Sequence, residues 1–365
     1  MWVQAIPHRS ETIRAHKTRG GRVAAVLPVH YPRALFRAVD VVPVEVWGPP
    51  QVDTTLGAAH LQPYVCSIVR NALAFLMSGG LAETDFIVVP HACDSLQGFA
   101  SILIDFVQPH QTVLPIYLPR DTRASDVQFL AEELRALYRR LAEITQRTPT
   151  DAELMECIAC EEEADSLLAD LHTRRKHLPH TQLELYRLIR AREFLPTDLF
   201  SAHARDALAR FSDVPRHEGI PIILSGIVPE PMSIFDSIEK MGGYVIADDF
   251  AACGRRLYPR GASDDPFVRM AERIVNAPPD STRGSSIQAR LDHLLRLVET
   301  KGARGVVFYD VKFCEPELFY LPTLRQGLQD AGVPSAAVEI DLNDQLPHQV
   351  LTRIEAFLEM IADSE

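Results

Sequence analysis

Six cysteines in a 365-residue chain offer most of its latent chemistry, and their settings differ. Cys314 ends the run Val306-Val307-Phe308-Tyr309-Asp310-Val311-Lys312-Phe313-Cys314, and Glu315-Pro316-Glu317 follows it. The run reads as a buried β-strand. Proline suits a first helical turn, and carboxylates suit its positive end. In an open α/β sheet, ligands bind outside the carboxyl ends of the strands, which is where Cys314 falls. Phe86-Ile87-Val88-Val89-Pro90-His91-Ala92-Cys93-Asp94 repeats the order of strand, cysteine, acid and helix. Cys66 is expected near the start of a helix over Leu61–Met77. At such positions the helix dipole favours thiolate, and thiolates can ligate an iron–sulfur cluster from widely separated points of a chain. A buried cysteine closing a strand is the plain alternative for any one of them.

The other cysteines carry weaker signals. Cys157 and Cys160 form a C-x-x-C inside a helical pattern, with no second pair at zinc-finger spacing. They read as two small residues on one helix face. Cys253, in Asp248-Asp249-Phe250-Ala251-Ala252-Cys253-Gly254-Arg255, competes as a further ligand. Neither G-x-G-x-x-G nor G-x-x-x-x-G-K-[ST] occurs, so nucleotide binding has no motif behind it. H-E-x-x-H and G-x-S-x-G are missing as well.

The elements that must position these residues follow from patterning. Apolar runs at 22–27, 41–47, 86–89 and 112–118 alternate with helical stretches, which implies a mostly parallel sheet. Residues 125–211 carry apolar positions three and four apart and read as helices. A second series of strands is expected at 220–224, 244–247, 305–311 and 335–340, the second of them ending in Asp248-Asp249. The fold class is α/β: two flavodoxin-like parallel-sheet units, similar to one another, facing a cleft and joined by a helical segment. The expected divisions are a leader over 1–21, a first α/β unit over 22–122, a helical segment over 123–217 and a second α/β unit over 218–365. The leader reads as frayed or as a helix that docks on a partner. Cys93 and Cys314 are expected to enter the cleft from opposite sides.

Composition narrows the class. Hydrophobic residues at 47% and charged residues at 24% are those of an ordinary globular protein. A net charge of -12 with no basic block argues against nucleic acid. No apolar run reaches membrane-spanning length. Free cysteines without a secretion signal point to a reducing compartment, hence a cytoplasmic location.

Five stretches together resemble the 2-hydroxyacyl-CoA dehydratase family, which includes subunits of ATP-dependent benzoyl-CoA reductase. They are Val65–Arg70, His91–Asp94, Asp248-Asp249 with Gly254-Arg255, Lys312–Glu317 and Thr352–Glu359. The resemblance spans about Arg22 to Ile361. It implies a [4Fe–4S] cluster held by Cys66, Cys93 and Cys314, in a heterodimer with a homologous second subunit. It also implies an ATP-dependent iron–sulfur activator and an acyl-CoA substrate, dehydrated by way of a ketyl radical. Glu315 stands where the family usually has Asp. Cys253 is two places later than a cysteine some members carry, and so is not counted among the ligands. The other readings are a benzoyl-CoA-type reductase subunit, an electron-transfer or assembly subunit that binds no substrate, and an α/β binding module without metal.

Overall fold

The computed structural model describes residues 6–363. The first five residues of the expected leader lie outside them. Residues Arg9–Thr18 form a helix (α1) that packs Ile13 against Val23, Val42 and Val44 of the chain's own first sheet. Arg9 donates to the Glu45 carbonyl oxygen, and Lys17 pairs with Asp85 at 3.0 Å.

The first unit runs β1 (Arg22–Val26), α2 (Arg33–Ala38), β2 (Val41–Glu45), α3 (Ser67–Met77), β3 (Phe86–His91), α4 (Asp94–Ile102) and β4 (Thr112–Tyr117). Its four strands are all parallel, in the order β2-β1-β3-β4. The expected helix from Leu61 begins later, at Ser67, with Cys66 as its N-cap. Pro63 disfavours helix at Gln62, and Cys66 itself lies outside the helical region at ψ 147, so the helix starts only after it.

The helical segment holds α5 (Ala124–Thr145), α6 (Asp151–Arg174), α7 (Gln182–Ala191) and α8 (Thr197–Leu208). Thr150 with Glu153 and Thr181 with Glu184 form capping boxes that fix where α6 and α7 start.

The second unit runs β5 (Ile220–Gly226), α9 (Ser233–Lys240), β6 (Gly243–Phe250), α10 (Pro266–Val275), α11 (Ile287–Lys301), β7 (Gly305–Val311), α12 (Glu315–Asp330), β8 (Ser335–Ile340) and α13 (His348–Ala362). Its order, β6-β5-β7-β8, repeats that of the first sheet, again all parallel. Asp248 and Asp249 lie inside β6 rather than after it.

Period-two alternation divides each sheet into two faces. Ala25, Leu27, Ile87 and Val89 of the first sheet and Val307, Tyr309 and Val311 of the second belong to one continuous core. The opposite face of the first sheet, Ala24, Val26 and Val88, is covered by α5 and by Phe267, Met270 and Ile274 of α10. The opposite face of the second sheet, Val306 and Phe308, packs on α11 and α12 through Leu294 and Leu324. The two units are therefore bound by a shared apolar core and by one helix that crosses back.

Candidate functional site at the seam of the two sheets

Cys66, Cys93 and Cys314 are the N-caps of α3, α4 and α12. Two of these helices follow β3 and β7 directly, so their first turns open at the carboxyl ends of the strands. At Cys314 the chain turns sharply: Phe313 takes φ +62, and Pro316 sets the first turn of α12. Backbone N–H groups of Ile68 and Val69 donate to the Cys66 sulfur, those of Ser95 and Leu96 to Cys93, and that of Glu317 to Cys314. The Ser95 hydroxyl also bonds to Cys66, which ties the first turn of α4 to that of α3.

The second unit closes on this corner. Arg70 pairs with Asp341 at 3.0 Å, Asn71 donates to Asn343 at 3.1 Å, and the Leu342 N–H donates to Ser67 Oγ at 3.3 Å. The three thiols lie within reach of one another's charge across the seam. Burial pushes the Cys66 thiol up. Burial and the charge of Cys66 push Cys93 up to about 12. Burial, then Cys66, Glu317 and Cys93, push Cys314 well above its usual range. The helix N-termini do favour thiolate, as expected, but desolvation outweighs them and the bare thiols are neutral. None of the three is in a disulfide. Among the described residues no group of three or more His, Cys, Asp or Glu side chains could hold a metal ion.

The remaining cysteines lie elsewhere. Cys253 is fully buried, and the charges acting on it most strongly are Asp248, Arg190, Glu193 and Arg256. Cys157 is half-buried on α6 beside Arg37 and Cys160.

The acidic motifs hold the frame. Asp248 accepts from Arg175 at 2.9 Å, from Tyr186 at 2.7 Å and from the Gly254 N–H at 2.7 Å. A Cβ on Gly254 would stand 2.1 Å from the Asp248 carbonyl oxygen, which is why this turn needs glycine. Asp249 binds Arg290 at 2.6 Å and Arg255 at 3.2 Å. Arg255 continues to Glu317 at 2.7 Å and to Asp280 at 3.5 Å. This network fixes the first turn of α12 from behind. In the Thr352–Glu359 stretch, Phe357 and Leu358 are buried, and Phe357 packs on Gly305 so closely that a Cβ there would meet it at 2.6 Å. That motif is a docking face.

Sequence reasoning missed His30 and Asp280. His30 follows β1 with φ +59, after Val29 at φ +65, a rare conformation for a β-branched residue. Its Nε2 lies 3.4 Å from Asp280 of the second unit, and both groups are buried. Burial pulls His30 below its ordinary value, against the opposing pull of Asp280. The available signal was its place at the carboxyl end of β1, between strands that diverge in order. Asp310 was missed as well: both its oxygens are buried without a partner, and burial pushes its carboxyl well above the usual range.

A family model described as 2-hydroxyglutaryl-CoA dehydratase, D-component, matches residues 28–361. The chain is 22% identical over 350 residues to the (R)-phenyllactyl-CoA dehydratase beta subunit of Clostridium sporogenes, covering 94% of this chain and 92% of that protein. It is 26% identical over 331 residues to a benzoyl-CoA reductase subunit of Thauera aromatica, covering 86% and 84%. It is 21% identical over 361 residues to the (R)-2-hydroxyglutaryl-CoA dehydratase beta subunit of Acidaminococcus fermentans, covering 95% and 94%.

Proposed function

Since the chain belongs to the 2-hydroxyglutaryl-CoA dehydratase D-component family, we propose that it is the cluster-bearing subunit of a 2-hydroxyacyl-CoA dehydratase-type enzyme. Cys66, Cys93 and Cys314 are its proposed [4Fe–4S] ligands. One observation supports the reading: three free thiols, each capping a different helix, lie near enough at the seam to feel one another's charge.

The residues fit such a group. Three thiolates alone in a dry site would be desolvated and would repel one another: burial first, and then the neighbouring cysteines, raise Cys93 and Cys314. A polynuclear cation offsets the charge and spreads its ligands farther apart than a single ion does. Backbone N–H groups on the sulfurs are the usual means of tuning a cluster. When bound, the cluster supplies a low-potential electron and, at the iron without a protein ligand, a Lewis acid for a thioester carbonyl. The chain's own residues exclude water and hold the ligand helices: Arg255 and Glu317 anchor α12, and Ser95 joins α4 to α3. The electron is expected from a separate ATP-dependent iron–sulfur activator, consistent with a sequence that has no phosphate loop. Relatives that are themselves named as single subunits of larger enzymes favour a homologous second subunit. No described helix is long and apolar enough to cross a membrane, and free thiols persist in the cytoplasm, where we place the protein.

The second reading is a benzoyl-CoA-type reductase subunit, favoured by the 26% identity to the Thauera aromatica reductase protein against 21% and 22% for the two dehydratase proteins.

Anaerobic purification followed by iron analysis and electron paramagnetic resonance tests the cluster. About four irons per chain are expected. Cys66→Ser, Cys93→Ser and Cys314→Ser should each lose them, while Cys253→Ser and Cys157→Ser keep them. A folded, colourless, iron-free preparation would overturn the reading. Reconstitution with a second subunit, activator and ATP, assayed on 2-hydroxyacyl-CoA and benzoyl-CoA, separates the two chemistries.

A further inference from the structure

His30 and Asp280 form an incomplete pair across the seam. Val29 and His30, at φ +65 and +59, turn the chain after β1 so that the imidazole meets the second unit. The ring is buried, with Tyr258 edge-on at 6.3 Å between centroids, and the His30 backbone N–H donates to the Tyr258 hydroxyl at 3.2 Å. Asp280 is held on one side: its Oδ1 accepts from the Thr282 N–H at 2.8 Å and from the Thr282 hydroxyl at 2.7 Å. Its Oδ2 lies 3.4 Å from His30 Nε2, yet no well-formed hydrogen bond joins them, and His30 Nδ1 has no partner among the described residues.

A neutral imidazole has one N–H for its two nitrogens; an imidazolium has two, and sets a positive charge against the carboxylate. Asp280 favours that second proton. Burial opposes it first, and so do Arg283 and Arg256, the other charges acting on the ring. Arg256 is committed to Glu45 at 3.0 Å, and Arg283 to the carbonyl oxygens of Ile274 and Val275, both at 2.7 Å. The ring is neutral under opposed forces, so a new negative charge nearby moves the balance towards the second proton.

The seam connects this pair to the cysteines. Arg255 lies 3.5 Å from Asp280 and bonds Glu317 at 2.7 Å, and the Glu317 N–H donates to the Cys314 sulfur. We propose that His30 is a redox-linked proton acceptor, taking a proton against Asp280 when the corner of Cys66, Cys93 and Cys314 gains an electron. The inference rests on the cluster reading above and adds how this chain offsets the charge of a low-potential electron in a dry site. The reductant supplies the electron and the solvent supplies the proton; one N–H bond forms on the ring, and no bond of the chain breaks. His30 is a positioning residue for that charge, acting through Arg255 and Glu317.

The anaerobically purified, iron-loaded full chain is titrated with dithionite and followed by electron paramagnetic resonance, at pH values between about 5 and 8, where histidine changes charge. The midpoint potential should fall as pH rises, by up to about 59 mV per pH unit, the one-electron equivalent of a tenfold change in proton activity. Asparagine tolerates a positive φ and its amide does not titrate, so His30→Asn should flatten the potential against pH with iron content unchanged. Deuterium exchange at the His30 ring carbon, read by mass spectrometry of its peptide, follows the same proton without a substitution. Its titration should move to higher pH on reduction. A potential independent of pH in the iron-loaded chain, a slope that persists in His30→Asn, or a His30 titration that ignores reduction would overturn the proposal and leave the proposed function standing. An iron-free chain overturns both.

Discussion

Replacing Arg255 by methionine exposes how the seam is held. Arg255 is fully buried and bonds three carboxylates, Asp249, Asp280 and Glu317. Their fates differ in Arg255→Met. Asp249 keeps two bonds from Arg290, at 2.6 and 2.8 Å. Asp280 keeps Thr282 and His30. Glu317 keeps only the Ser281 hydroxyl and becomes a buried charge without a cation. Breaking a buried pair on one side costs about 3–5 kcal/mol, because the remaining charge is desolvated and unpaired. Urea unfolding followed by circular dichroism should show that loss. Adding Glu317→Gln removes the stranded charge, so the double variant should recover about 1–3 kcal/mol relative to Arg255→Met alone. Amide exchange at Glu317 and Leu318, whose N–H groups bond Cys314, should rise in the single variant, because the anchor of the first turn of α12 is gone. A loss below about 1 kcal/mol, or two substitutions that simply add, would refute the claim that Arg255 and Glu317 act as a pair.

Other consequences are equally direct. Burial alone would raise Glu161, but the charges of Arg192 and Arg33 and bonds from Thr197 and Arg192 outweigh it and hold the carboxyl at about 2, against an ordinary 4.5. The folded state thus binds this proton less readily. The resulting stabilisation, about 3 kcal/mol, is complete above pH 4.5 and drains as pH falls from there towards 2. Glu161→Gln should flatten stability against pH in that window; an unchanged acid slope would discount the pair. Phe357→Ala removes the ring that packs on Gly305 and should cost about 3–5 kcal/mol by thermal or urea unfolding, with a cost under 1 kcal/mol disproving the docking role of α13. Gly48→Ala forces a Cβ against the Ile68 carbonyl oxygen at a positive φ. It should destabilise the chain by about 1–3 kcal/mol and lower iron retention, with full stability and iron content as the contrary result.

Local patterning made much of this fold legible. β7 and β8 run over the expected residues: β7 is an apolar run buried throughout, and β8 is an edge strand that buries Val338 and Ile340. The cysteines at strand ends were visible for the same reason, since Pro316 and the acids after Cys314 mark a helix start within a few residues. The likeness of the two units was legible from repeated order alone, and the sheets share one topology. What the sequence could not determine was long-range. That Ser95 reaches Cys66, that Cys253 sits instead beside Asp248, and that Arg255 gathers Asp249, Asp280 and Glu317 all depend on where separate elements pack. Helix α10 shows this well: it lies among second-unit elements in sequence, yet covers the outer face of the first sheet. Thiolate character was decided there too. Helix N-termini lower the cysteines as the sequence suggests, but burial in a core shared by two sheets raises them further. Propensities and dipoles act within a turn or two along the chain, whereas desolvation and ion pairing are set by everything that closes around a residue in space.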